Sequence, residues 1–147
     1  MASNLFKETF SLKETQCTII TDKQQAIQIA IESIKRNRRE LEIFTRANPK
    51  FLYTLEPVPA PETPLVAKLM ALAAQKACVG PMAAVAGVIA DLAVNDMIQD
   101  GCRVAVVEDG GEISANSNRP IDVALAVGDE PLSKRFGFRL TDFPVGV

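Results

Sequence analysis

GPMAAVAGVIADLAVNDMIQDGCRVAVVEDGGEISANS, residues 80–117, is the stretch on which the fold turns. It reads as a buried helix, a tight stop, a buried strand, a Gly-Gly turn and a returning strand. Gly80 suits the left-handed position just past a preceding helix, and Pro81 suits the first turn of the next, where its missing N–H costs nothing. Met82 to Ile98 is apolar nearly all round, which predicts a helix buried on most faces. Ala83, Ala84, Ala86, Gly87 and Ala90 are small enough to let other backbones approach. Asp100-Gly101 stops the helix. Arg103 to Val107 is short, apolar and β-branched, as a central strand is. Asp109-Gly110-Gly111 tolerates the positive φ of a tight hairpin, and Ile113 to Ser117 forms the returning strand.

Working outward, 147 residues make one domain, 1–147, with length enough for a real core. A hydrophobic fraction of 48% with 23% charge is that of an ordinary globular chain. The net charge of −2 gives no reason to expect nucleic acid or an anionic membrane as partner. Residues 1–79 carry 11 Lys+Arg against 8 Asp+Glu (+3), and residues 80–147 carry 5 against 10 (−5), a mild asymmetry. Met1 to Lys13 is not a secretory signal, and the helix from Met82 is interrupted by Asp91, Asn95 and Asp96, so no membrane segment is expected. Cys17, Cys78 and Cys102 are too scattered for a metal or disulfide motif, which fits a reducing, cytoplasmic setting. Cys78 and Cys102 read as small core residues.

The chain has no histidine. Ser-His-Asp and Cys-His mechanisms are therefore excluded for it, as are His-ligated metals. A metal here would sit on oxygen ligands, as magnesium or calcium does.

In chain order, Leu5–Leu12 and Gln16–Thr21 form a hairpin through Lys13-Glu14-Thr15. Thr21 or Asp22 caps a helix running to about Arg46, with Ile27, Ala30, Ile34, Leu41 and Phe44 on its buried face. The run KRNRR, residues 35–39, reads as a solvated face with Glu partners nearby; an anion-binding patch is the other reading. Asn48-Pro49 ends the helix. Glu56–Pro64, with four of the nine prolines, is a stiff extended connection. Thr63 and Pro64 cap a helix through Cys78 whose apolar stripe is Leu65, Leu69 and Leu72. All eight glycines lie at or after Gly80, so the sharp turns belong to the second half. Ile121–Val127 and Phe136–Leu140 are two further strands, and the closing Val145-Gly146-Val147 looks like the start of another buried one.

GPMAAVAGVIAD, the following strand, EDGGEI, IDVALAVGDEPLSKRFGF and the terminal FPVGV occur in an order that resembles one family. It is the prokaryotic family related to the ApbE flavin transferases, often labelled thiamine-biosynthesis-like. The N-terminal hairpin, long helix and NPKFLYTLEPVP agree with it. The resemblance implies an α+β fold of the ApbE, T-fold-like type, with an antiparallel sheet and packed helices. It also implies a family chain that continues past Val147 into a Cys/Thr/Ser-rich loop and an Ala-Asp-Ala helix. This chain would then be the N-terminal portion, incomplete at its C-terminus, its missing segment supplied by a longer protein or a second chain. ApbE-type enzymes use FAD and magnesium to attach FMN to a protein threonine, with metal ligands largely in the C-terminal part. The family's Lys-Gly corresponds here to Ala86-Gly87, and its Asn-Gly-Gly-Asp to Asp109-Gly110-Gly111-Glu112.

The expected function is thus flavin (FAD or FMN) or other nucleotide binding, with magnesium-dependent FMN transfer as its enzymatic form. The alternative is a non-catalytic binding or assembly module that keeps the fold. A homo-oligomer is expected. The candidate cofactor-binding residues are Gly80, Pro81, Met82, Asp109, Gly110, Gly111 and Glu112. Gly80-Pro81-Met82 is either a helix junction or an anion-accepting helix N-terminus. The Gly-Gly turn is either a plain hairpin or a ligand-facing turn whose carboxylates meet magnesium or ribose hydroxyls. Glu108 and Asp109 are neighbours on a strand and point to opposite faces, so only one meets a ligand. Asp91, among apolar neighbours, is placed in a cleft. No metal ligand and no catalytic residue is assigned within the chain.

Overall fold

The computed structural model describes residues 4–147 apart from 14, 127, 129, 130, 132 and 134. Two hairpins dominate it: β1 (Phe6–Leu12) with β2 (Thr15–Thr21), and β3 (Val104–Asp109) with β4 (Glu112–Ser117). Between β2 and β3 the chain runs through four helices, α1 (Gln25–Ala47), α2 (Pro49–Tyr53), α3 (Leu65–Ala77) and α4 (Val85–Gln99), the last entered by a 3₁₀ turn, Pro81–Ala84. It returns so that β2 and β3 pair antiparallel. A short strand β7 (Val145–Gly146) adds to β4, giving a five-stranded antiparallel sheet in the order β1-β2-β3-β4-β7. Strands β5 (Ile121–Ala124) and β6 (Gly137–Leu140) form a separate two-stranded sheet. The α+β class, the antiparallel sheet and the packed helices agree with the sequence reading. Glu14, Val127 and Asp129, named in the sequence reading, lie outside the described residues.

The strand alternation sorts the sheet into two faces. Cys17 and Ile19 of β2 and Ala105 and Val107 of β3 join Ile27, Ala30 and Ile34 of α1, Met70 of α3, and Ile89, Ala93 and Met97 of α4 in one core. On the opposite face Val104, Val106 and Ala115 are buried under Ile20, Ile113, Ile121, Phe143 and Val145. The apolarity of Pro81–Gln99, long enough by length and composition alone to cross a membrane, is accounted for by this position in the core.

Several local expectations are corrected. Neither Thr21 nor Asp22 caps α1, which begins at Gln25 behind Gln24 without a side-chain cap. Asp22 Oδ1 instead accepts the backbone N–H groups of Arg103 (3.1 Å) and Val104 (3.0 Å), tying the end of β2 to the start of β3. Thr63 likewise makes no cap; Pro64 stands at that position. In α3 the buried stripe is Val66, Ala67, Met70, Ala71 and Ala74, while Leu65 and Leu72 are exposed: the alanines let α3 approach its neighbours, which turns the bulkier leucines outward. Cys78 is exposed and holds the left-handed position after α3 at φ 56°, so Cys102 is buried and Cys78 is not. Helix α2, which the sequence reading left without an element, packs Phe51 edge-on against Phe44 at 5.1 Å. The terminal strand is present, but Val147 is exposed.

Gly80 has φ −71°, so its glycine identity answers a different need from backbone handedness. A Cβ there would stand 2.0 Å from the Thr54 carbonyl oxygen. Backbone cannot yield as a flexible side chain can. Gly80→Ala is therefore expected to cost about 1–3 kcal/mol, read as a lowered urea midpoint at unchanged m-value; an unchanged midpoint would show that the α2–α3 connection gives way freely.

Candidate functional site

The β2–β3 register sets Cys17 opposite Asp109. Asp109 therefore shares the helix-facing side with Ile19 and Val107, and its side chain is buried, only 3% exposed. The Cys17 thiol and the Asp109 carboxyl act on each other across this pair. Among the described residues Asp109 Oδ1 has no hydrogen-bond partner at all. Burial raises the Asp109 pKa above the usual carboxylate value, against the lowering effects of the Cys17 hydrogen bond and the Arg38 guanidinium. Burial and the neighbouring Asp109 push the Cys17 thiol up to about 12, so it stays protonated and is not a nucleophile.

Asp109 lies on the wall of a cavity of about 380 Å³. Its polar side is Lys13 and Thr15 from the first hairpin and Arg38, Glu42 and Thr45 from α1; its apolar side is Leu41, Leu52, Met82, Val85, Ala86 and Ile89. Arg38 donates to Thr15 Oγ1 at 3.0 Å, and Lys13 pairs with Glu42, which fixes the charged rim. A volume near the lower end of the usual range for small-molecule sites, a mostly apolar wall and a few convergent polar groups describe a binding pocket. It holds one ring system; a dinucleotide such as FAD would extend beyond it.

The seven residues singled out in the sequence separate here. Asp109 and Met82 meet in the cavity. Gly80 and Pro81 are buried at the α3–α4 junction, away from its wall. Gly110 and Gly111 take φ 60° and 99°, as a tight turn needs, and their N–H groups are engaged. Gly111 N–H donates to Glu108 Oε1 at 2.7 Å, and Gly110 N–H reaches the Gln16 carbonyl at 3.5 Å. Glu108 thus turns back on the hairpin while its neighbour Asp109 faces the cavity. The Glu112 carboxylate lies over Gly87 of α4, where a Cβ would stand 2.7 Å from it. Asp91 accepts from Ser114 Oγ at 2.5 Å and lines a second, smaller cleft with Asn95, Val145 and Gly146.

Lys13 and Thr15 are cavity residues that sequence reasoning missed, and Arg38 was there weighed within KRNRR as a solvated face against an anion-binding patch. The available signal was spacing: Lys35, Arg38, Arg39 and Glu42 recur at i, i+3, i+4 and i+7, one face of α1. Arg36 lies off that face and pairs with Asp96 at 2.7 Å. Among the described residues no three His, Cys, Asp or Glu side chains stand together as a metal site.

The sequence matches, over residues 4–147, the family described as AbpE bacteria. Similar curated proteins include a UPF0280 protein of Methanococcoides burtonii, 42% identical over 135 residues, covering 91% of this chain and 56% of that protein. One from Methanospirillum hungatei is 40% identical over 129 residues (88% of this chain, 53% of that protein). One from Methanococcus vannielii is 37% identical over 137 residues (92% and 56%). The chain spans about half the length of the curated relatives it matches. A match that takes in almost the whole chain, with relatives near 40% identity, means that this chain belongs to the prokaryotic family described as AbpE bacteria.

Proposed function

We propose that the chain binds a small planar heterocycle, a flavin or the base of another nucleotide, in the cavity walled by the first hairpin, α1 and α4. The observation that carries this is Asp109, which lines a cavity with an extensive apolar side and whose buried Oδ1 has no hydrogen-bond partner among the described residues. Leaving such a group unpaired costs roughly 1–3 kcal/mol. A ring N–H flanked by apolar ring surface supplies what it lacks, and the leucine, methionine and isoleucine side chains suit the ring faces. Flavin rings and most nucleobases carry such an N–H. The sequence resemblance to the ApbE flavin transferases adds weight to the flavin, and Ala86 and Met82 stand at the cavity in the segment that carries the resemblance.

Magnesium-dependent transfer of FMN needs, besides a flavin site, an oxygen ligand set, and the described residues assemble none. The assembly reading rests on a different observation. Phe136 and Phe138, at and on β6, are 63% and 56% exposed on a two-stranded sheet that is marginal by itself. A native mass spectrum of the purified chain is expected to show more than one chain per particle; a bare monomer would remove the assembly reading.

Titration with FMN, riboflavin and guanine and uracil nucleotides, followed by flavin fluorescence or calorimetry, tests the cavity. Binding of at least one of them in the micromolar range is expected, and Asp109→Ala should weaken it by about tenfold or more. Gly111→Ala should instead lower stability by about 1 kcal/mol or more through its positive φ and leave the same affinity, because the turn lies off the cavity wall. No binding at high micromolar ligand would overturn the reading.

The buried carboxyl also sets a pH dependence. Its folded pKa is raised, so above the ordinary carboxylate value the native state holds a proton that the unfolded chain has released. Stability then falls as pH rises from that value through the raised folded value. Urea unfolding of Asp109→Asn across this window should lack that fall; equal pH profiles for both proteins would place the Asp109 charge in solvent.

A further inference from the structure

Beside the cavity, and sharing Lys13, Arg38 and Glu42 with it, is a groove of about 220 Å³ completed by Leu12, Lys35 and Arg39. Four cations and one carboxylate surround it. The carboxylate is already answered: Glu42 accepts from Lys13, which holds its pKa below the usual range. Arg38 stands at the junction of groove and cavity, fixed on Thr15. Lys35 and Arg39 make no ion pair among the described residues. Like charges at i, i+3 and i+4 of a helix repel, each pair costing a few tenths of a kcal/mol. The same helix spreads Arg36 to the other side, onto Asp96, so the clustering is a property of this face and not of the whole helix.

We propose that this groove receives the phosphate of the ligand whose ring fills the adjoining cavity, so that the chain selects phosphorylated ligands over their dephosphorylated counterparts. The inference rests on the cavity reading above and adds to it the class and the orientation of the ligand. With the ring edge on Asp109, the substituent leaves the cavity past Lys13 and Arg38 and meets Lys35 and Arg39. Arginine forks suit phosphate oxygens in a bidentate way, and a dianion removes the repulsion along α1. No bond is made or broken; the groove is a recognition element. The competing account is a helix face that is only solvated, for which a phosphate on the ligand makes no difference.

FMN and riboflavin share one ring and differ by the phosphate, so their comparison isolates the groove. FMN is expected to bind about tenfold more tightly, with an affinity that falls as salt is added. The double variant Lys35→Ala/Arg39→Ala, altered at two exposed positions of α1, should bring the FMN-to-riboflavin ratio towards one. Equal affinities for the two ligands in the unaltered chain, or a ratio that survives the double variant, overturn the groove proposal while leaving the cavity reading standing. If neither the flavins nor the nucleotides bind, the cavity reading fails and the groove is judged alone with inorganic pyrophosphate. A rise in thermal midpoint that the double variant lacks then supports it, and no rise refutes it.

Discussion

The pairing of β2 with β3 is the constraint on which the rest depends. Its register, Cys17 opposite Asp109 and Thr21 opposite Ala105, closes a connection that contains every helix of the domain. Closing so long a connection is entropically costly, and the chain clamps it at its base. Asp22 accepts from the first two amides of the returning strand. Lys23 ties the same corner to Asp100 at the end of α4, at 2.7 Å. Because side chains alternate with a period of two, a slip by one residue would turn Asp109 outward and bring Glu108 under the helices. Ala105 and Val107 of the same strand would leave the core in the same movement, so hydrophobic burial and the position of the carboxyl are enforced together.

That coupling explains how the chain holds a carboxyl where solvation would not place it. Asp109 is surrounded by residues whose burial favours the register, and their combined contribution exceeds the penalty of one unpaired oxygen. The Cys17 thiol supplies a weak donor, and Arg38 a nearby positive charge, which is less than a carboxylate in water would have. The remaining deficit is open to a ligand.

The long-range part of this was not legible in the sequence, and the local part largely was. Strand-length apolar runs marked the first hairpin, a β-branched run before Asp-Gly-Gly marked the second, and the 3.6-residue period marked α1. The apolar run marked α4, because such patterns are local consequences of a buried face. Gly80 was noticed for handedness, yet its role is to leave room for the Thr54 carbonyl, a contact made across an intervening helix. Asp22 looked like a helix cap because its partners, Arg103 and Val104, are far along the chain. Asp109 was picked out as part of a glycine turn, whereas its importance comes from the strand register that faces it inward. The glycines beside it serve the turn itself, with the Gly111 amide taken by Glu108.

The run KRNRR shows why composition alone could not decide between a solvated face and an anion patch. Five polar residues in a row on a helix point in several directions, and only their projection separates them. Arg36 falls on the α4 side and finds Asp96; Asn37 turns inward and bonds the Ser33 carbonyl at 2.9 Å; Lys35, Arg38 and Arg39 fall together beside the hairpin turn. Lys13, at φ 54° in that turn, brings a further cation to the same place from a different element. Lys13 is paired with Glu42, so the cations of this groove that make no ion pair among the described residues are Lys35 and Arg39, at i and i+4 of α1. Their mutual repulsion is a term that the proposed anion would relieve. The proposed ligand, which carries both an N–H-bearing ring and a negative charge, would bridge the junction at Arg38 as a single molecule, at the entropic cost of one association and not of two.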